Sequence, residues 1–235
     1  MADISYPGVD GQLPGYLAVP DGEGSWPGVV VVQDVLGMTE NLRQISDRLA
    51  DNGYLALAPA LYGGHGSKIR CMIATIRAHF AGYGTSYDDL VAARDHLIAH
   101  ERCTGKVGLI GFCMGAGFVL QLAPRGLFDV TAPNYGLLPK DIEALRGLCP
   151  VVASFGGNDR IVPRGTAAKL EAILADHDVP RDVKEYPNVG HSFMNDHGLP
   201  AFVRIMAGLA SMAYSEPEAD DAWRRIVTFF DTHLR

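Results

Sequence analysis

The chain has few cysteines and no basic run. Cys71, Cys103, Cys113 and Cys149 are scattered through 235 residues, and no two form a Cys-x-x-Cys pair. That pattern does not suggest a disulfide framework. Acidic residues outnumber basic ones 27 to 20, for a net charge of −7. This argues against nucleic acid or an anionic membrane surface as the main partner. The longest aliphatic run covers residues 29–32 and is far too short to span a bilayer. The opening Met-Ala-Asp-Ile-Ser-Tyr-Pro-Gly has no basic start and no apolar core. No signal peptide is expected, and a cytoplasmic location is the default. Internal repeats, low-complexity tracts and linkers are also missing.

What is present is apolar residues in quantity. They make up 48% of the chain, enough for one large core, and the length suits one α/β domain over residues 1–235. Residues 15–20 read as an antiparallel edge strand ended by Pro20. Val29-Val30-Val31-Val32-Gln33 is a continuous β-branched run, as in a strand buried on both faces. Thr39 is placed to cap a helix from 40 to about 52, with Leu42, Ile45 and Leu49 on one face. Residues 54–58 form the next strand, cut off by Pro59. Strand, helix, strand in that order means a right-handed parallel crossover.

Residues 63–67 read as loop, and 69–80 have helical periodicity, suited to a pocket wall above the strand ends. Thr85 or Ser86 is placed to cap a helix running to about 100. Short strands are expected at 130–132 and 150–155, a helix from 166 to about 177, an outer strand at 182–186 and a final helix from 216 to 234. The alternation predicts a three-layer α/β sandwich with a mostly parallel sheet of about seven or eight strands flanked by helices.

The most informative stretch is Val107-Gly-Leu-Ile-Gly-Phe-Cys113-Met-Gly-Ala-Gly117. It reads as a buried strand, a Gly-flanked turn and a helix. Gly-x-nucleophile-x-Gly at such a junction is the nucleophile elbow of α/β-hydrolases, with Cys where Ser is usual. Gly111 and Gly115 keep strand and helix from colliding. The turn lifts Cys113 toward a cleft and sets the Met114 N–H at the helix start, where partial positive charge collects. A cysteine is also a common small core residue, and a Gly-rich turn can bind phosphate. The nucleotide fingerprints fit poorly, because the remaining glycine of a dinucleotide loop and the Gly-Lys-Ser/Thr triplet are both missing.

A nucleophilic cysteine needs a base, a group that orients the base, and donors for an oxyanion. Cys113, Asp159 and His191 occur in the order nucleophile, acid, histidine, each just after an expected strand. Asp159 alone reads equally well as a turn cap near Pro163, and His191 alone as a loop histidine. Together and in order they read as a triad. The oxyanion donors would be the backbone N–H groups of Met114 and Val35. Asp34, at the end of a central strand, either modulates the thiol or serves as a cap or an ion-pair partner of Arg43. His197, in Asn-Asp-His-Gly, reads as a surface turn, and no second ligand cluster beside it supports a metal. His65, His79, His96, His100 and His177 read as loop or solvated-helix residues, and the other cysteines as packing.

These blocks resemble the dienelactone hydrolase family (carboxymethylenebutenolidases) of the α/β-hydrolase superfamily. The resemblance spans nearly the whole chain through Val-Val-Val-Val-Gln-Asp-Val-Leu-Gly, Gly-Tyr-Leu-Ala-Leu-Ala-Pro-Ala-Leu-Tyr, Gly-Phe-Cys-Met-Gly, Gly-Gly-Asn-Asp and Gly-His-Ser-Phe. It implies an α/β-hydrolase fold and a Cys-His-Asp triad matching Cys113, His191 and Asp159. It also implies a small lactone or ester substrate with no metal or organic cofactor, in a monomer or homodimer. Well-known members carry Glu at the position of Asp34. They carry Arg four residues after the histidine, on the substrate carboxylate, where this chain has Asn195. A second family Arg corresponds to Arg70. Tyr62, Tyr135 and Phe193 are expected to line the pocket, with core packing as their other reading.

Overall fold

The computed structural model describes residues 1–64, 67–198 and 213–235. Its sheet has eight strands in the order β1-β2-β4-β3-β5-β6-β7-β8. They are β1 (Ala2–Gly8), β2 (Gly11–Ala18), β3 (Trp26–Val32), β4 (Leu55–Pro59), β5 (Cys103–Phe112), β6 (Val130–Asn134), β7 (Val151–Gly156) and β8 (Arg181–Tyr186). β2 pairs antiparallel with both β1 and β4, and the neighbours from β4 through β8 are parallel. The sheet is open and carries helices on both faces, as the expected three-layer sandwich requires.

The helices are α1 (Glu40–Asp51), α2 (Lys68–Ala81), α3 (Thr85–Ile98), α4 (Met114–Leu122), α5 (Thr166–Asp176) and α6 (Glu216–Leu234). The all-apolar central strands feed both faces. Val29 and Val31 pack with Leu42, Ile45 and Leu49 of α1 and with Trp223, Ile226 and Phe230 of α6. Val30 and Val32 point the other way, onto Leu90, Ala93 and Leu97 of α3 and Phe118 and Val119 of α4. A period of two along β3 thus serves two helical layers at once. Thr39 caps α1 by accepting from the Leu42 N–H at 3.3 Å.

Two expectations are corrected. The strand expected at the edge is second from it, because β1 pairs along the outer side of β2 from Ala2↔Leu17 to Gly8↔Gly11. Tyr6 on β1 is fully buried against the helical layer, which is what holds the extra strand. Neither Thr85 nor Ser86 caps α3. Its N-cap is Gly84 at φ 127, and the Ser86 hydroxyl donates to Thr75 Oγ1 of α2 at 3.1 Å. His65 lies outside the described residues, as do residues 199–212 of the segment between Gly198 and Pro217.

Two side chains fasten α6 to the sheet edge: Asp221, which accepts from Lys184 and Tyr186 of β8 at 2.6 and 2.8 Å, and Arg225. Arg225 donates to both Asp182 carboxylate oxygens at 2.9 and 2.7 Å, to Ser154 Oγ at 3.1 Å and to the Asp182 carbonyl at 2.7 Å. A lysine has one donor centre and cannot reproduce this fork. Arg225→Lys is expected to lower stability by about 1–3 kcal/mol through acceptors left unpaired. Urea denaturation checks this, and an unchanged midpoint would remove Arg225 as a fastening.

Candidate active site

The parallel strands deliver their C-terminal ends to one edge of the sheet. Asp34 follows β3, Cys113 follows β5, Tyr135 follows β6, Asp159 follows β7 and His191 follows β8. Ligands bind at this edge in open parallel sheets.

Cys113 occupies the turn between β5 and α4 with φ 54 and ψ −116. A positive φ is unfavourable for any side chain and costs about 1–3 kcal/mol. The surroundings enforce it. A Cβ on Gly111 would sit 2.5 Å from the Gly115 backbone, and one on Gly115 would sit 2.6 Å from the carbonyl oxygens of Val32 and Gln33. Strand and helix approach so closely that only glycine fits, and the residue between them is pushed outward. Met114 opens α4, so its N–H has no partner within the helix. Met114, Val35 and Cys113 line the same cavity.

Asp159 is 8% exposed. Its Oδ1 accepts from the Ile161 and Val162 amides at 2.7 and 3.0 Å, and its Oδ2 lies 2.7 Å from His191 Nδ1. It therefore caps the turn and holds the histidine at once. Burial pushes its pKa up, but the His191 bond and charge and the two amides outweigh this and hold the carboxyl below its ordinary value. His191 is 1% exposed. Burial alone would lower its pKa. The hydrogen bond to Asp159, the Cys113 thiol beside the ring and their charges lift it to about 9. Its Nε2 is buried and makes no hydrogen bond of full geometry, as is common at a catalytic base before substrate arrives.

A family model for the dienelactone hydrolase family matches residues 13–234. The chain belongs to the dienelactone hydrolase family.

It is thus a carboxylic ester hydrolase. A protein of Saccharolobus solfataricus, provisionally named a carboxymethylenebutenolidase, is 26% identical over 97% of this chain and 96% of its own. A provisionally named dienelactone hydrolase from Klebsiella pneumoniae superposes with a TM-score of 0.78 at 25% identity, over 98% of this chain and 97% of its own. A dienelactone hydrolase-like promiscuous phosphotriesterase from metagenomic libraries shares the fold at a TM-score of 0.81, with 24% identity over 100% of this chain and 98% of its own.

The remaining residues of interest in this dienelactone hydrolase family member fall into three groups. Tyr135 lines the cavity, held at φ 41, with its ring edge-on to His191 at 5.2 Å. Tyr62, Phe193 and Asn195 stand behind the lining. The Tyr62 hydroxyl donates to the Val35 carbonyl at 3.0 Å. Phe193 is fully buried between Tyr135 and Tyr186. Asn195 accepts from the Tyr135 hydroxyl and donates to Asn41 Oδ1 at 2.7 Å. Arg70 is not brought to Cys113. It lines a separate polar cleft with Asp10, Thr75, Ser86 and Asp89.

Asp34 Oδ1 accepts from the Leu36 N–H at 2.7 Å, and Oδ2 lies 3.6 Å from His197 Nε2. Arg43 pairs instead with Asp3 at 2.6 Å. Burial raises the Asp34 pKa, against the Leu36 amide and the nearby His197 and His191. Two histidines differ from their sequence reading. The His197 side chain is 10% exposed and turned toward Asp34, not out on a surface turn. His79 is buried on α2 and lines the Cys113 cavity. Helical spacing from Ile76 to His79 was the available signal.

The His191 ring is expected to titrate near pH 9 in an NMR pH series, and Asp159→Asn to shift that midpoint down. The folded value lies above the ordinary 6.5, so the bound proton favours the folded chain. That contribution is complete below pH 6.5 and is lost as pH rises through about 9. The stability advantage of wild type over His191→Gln should therefore shrink across that window in urea titrations. A gap that stays flat or widens would contradict the pairing.

Proposed function

We propose that Cys113, His191 and Asp159 form the catalytic triad of an enzyme that cleaves a small lactone or activated carboxylic ester through an acyl-enzyme. The observation that carries this is the buried 2.7 Å bond from Asp159 to His191 Nδ1, with the opposite side of the ring left to the thiol on the elbow. The Cys113 sulfur attacks the carbonyl as thiolate while its proton resides on His191 Nε2. The N–H groups of Met114 and Val35 receive the oxyanion. His191 then passes the proton to the departing alkoxide. The resulting thioester is attacked by water, which gives its proton to His191, and release of the acid restores the thiolate–imidazolium pair. No step needs a metal or an organic cofactor.

Asp34 is a thiol-modulating carboxylate in this reading. It is buried beside the site and close enough for its charge to act on His191 and Tyr135. The substrate is a small molecule.

Stopped-flow hydrolysis of p-nitrophenyl acetate is expected to show a burst of one nitrophenolate per active site. Cys113→Ala should abolish the burst and the turnover. Asp159→Asn should keep the fold and reduce kcat by roughly 1,000- to 10,000-fold, the scale seen when a triad histidine loses its orienting carboxylate. Full activity in Cys113→Ala would overturn the triad. A thiol reactive toward oxidants with no burst would favour a binding or redox-sensing protein on the same scaffold.

A further inference from the structure

We infer that the Cys113 cavity selects a short, uncharged, apolar acyl group and rejects one that carries a second carboxylate. The inference rests on Cys113 being the nucleophile. The cavity holds about 180 Å³, smaller than the sites that take drug-sized ligands. Its walls are aliphatic and aromatic: Ile76 and Phe80 from α2, Val35 after β3, Leu137 after β6, and Ile161 and Val162 after β7.

The polar groups in that lining are already committed or neutral. The Tyr135 hydroxyl is bound to Asn195, and His191 is bound to Asp159. His79 is pushed below its ordinary pKa by burial and is neutral at pH 7. No lysine or arginine occurs among the described residues that line the cavity. Two carboxylates lie nearby: Asp159, paired with His191, and Asp34, which burial pushes toward its neutral form. His191, when protonated, is balanced by Asp159. A carboxylate on the acyl group would shed its water and find no lysine or arginine among the described lining residues, which is costly in a buried site.

The mouth continues the same chemistry. Phe80, Ile161 and Val35 line the cavity and yet are 72%, 50% and 43% exposed. An apolar rim of this kind marks a surface that waits for an apolar partner. In this molecule the rim opens onto the nucleophile, so the partner is the apolar body of the substrate.

The test compares p-nitrophenyl acetate, butyrate and hexanoate with p-nitrophenyl monoadipate, which replaces the terminal methyl of the hexanoate with a carboxylate. From acetate upward, kcat/KM should rise by up to about fourfold per buried CH2 until the cavity is filled. Monoadipate should be slower than hexanoate by about 100-fold or more, the scale of an unpaired buried charge. Ile76→Arg places a cation on the half-buried wall of α2 and should narrow that gap by about tenfold or more. If the variant does not fold, the wild-type ratio alone decides. Monoadipate turned over within tenfold of hexanoate, by an activity that Cys113→Ala abolishes, overturns this inference and leaves the triad standing. Hydrolysis that survives Cys113→Ala overturns the triad reading and the inference with it.

Discussion

The site depends on one backbone-to-backbone contact. The first turn of α4 lies against the end of β3 so closely that a single methyl at Gly115 would meet the Val32 and Gln33 carbonyls at 2.6 Å. The same crowding, continued at Gly111, leaves Cys113 at φ 54. A strain of about 1–3 kcal/mol can persist only where the surroundings over-determine it. Here they do, because β3 and residues 107–112 of β5 are buried on both faces and cannot slide apart. The contact also sets the chemistry. Asp34 and Val35 follow Gln33 directly, so the packing that seats α4 on β3 brings Val35 and Met114 to one cavity wall.

Burial then sorts two carboxylates of the same type. Asp34 and Asp159 are each 8% exposed, yet burial raises the pKa of one while the other is held low. The difference is in their partners. Asp159 receives two amide hydrogen bonds and the His191 ring at 2.7 Å. Asp34 receives one amide, and its histidine stands off at 3.6 Å. Each added donor stabilises the charged form, and burial works against it. The carboxylate that must stay ionised to hold an imidazolium is the one the loop after β7 has wrapped.

Much of this was legible in the sequence because it is local. The elbow is written in five consecutive residues, Asp159 follows a strand announced by its apolar run, and His191 follows one that alternates as an outer strand does. β1 was harder. Ile4 and Tyr6 alternate with Asp3 and Ser5, but four residues ahead of Pro7 are a thin signal, and proline is tolerated only because the strand lies at the sheet edge. The α3 cap failed for a tertiary reason, since the Ser86 hydroxyl is taken by Thr75 on the preceding helix. His197 failed for the same kind of reason. Its turn is polar, and its side chain lies 3.6 Å from Asp34, a residue distant in sequence. Arg70 sits on the same helix as Ile76 and Phe80, but several residues nearer its start, and it opens onto a different cleft.

Asn195 shows how the neutrality of the cavity is maintained one layer out. Its amide accepts from the Tyr135 hydroxyl with its oxygen and donates to Asn41 with its nitrogen. An amide does both at once, whereas a guanidinium has no acceptor and an ionised carboxylate has no donor. The bridge uses up the one polar atom of Tyr135, so the phenol turns only its ring to the cavity and to the edge of His191. A cation at position 195 would leave the hydroxyl without its acceptor and free the ring to move. The residue that keeps charge out of the wall is therefore also the one that keeps the wall in place.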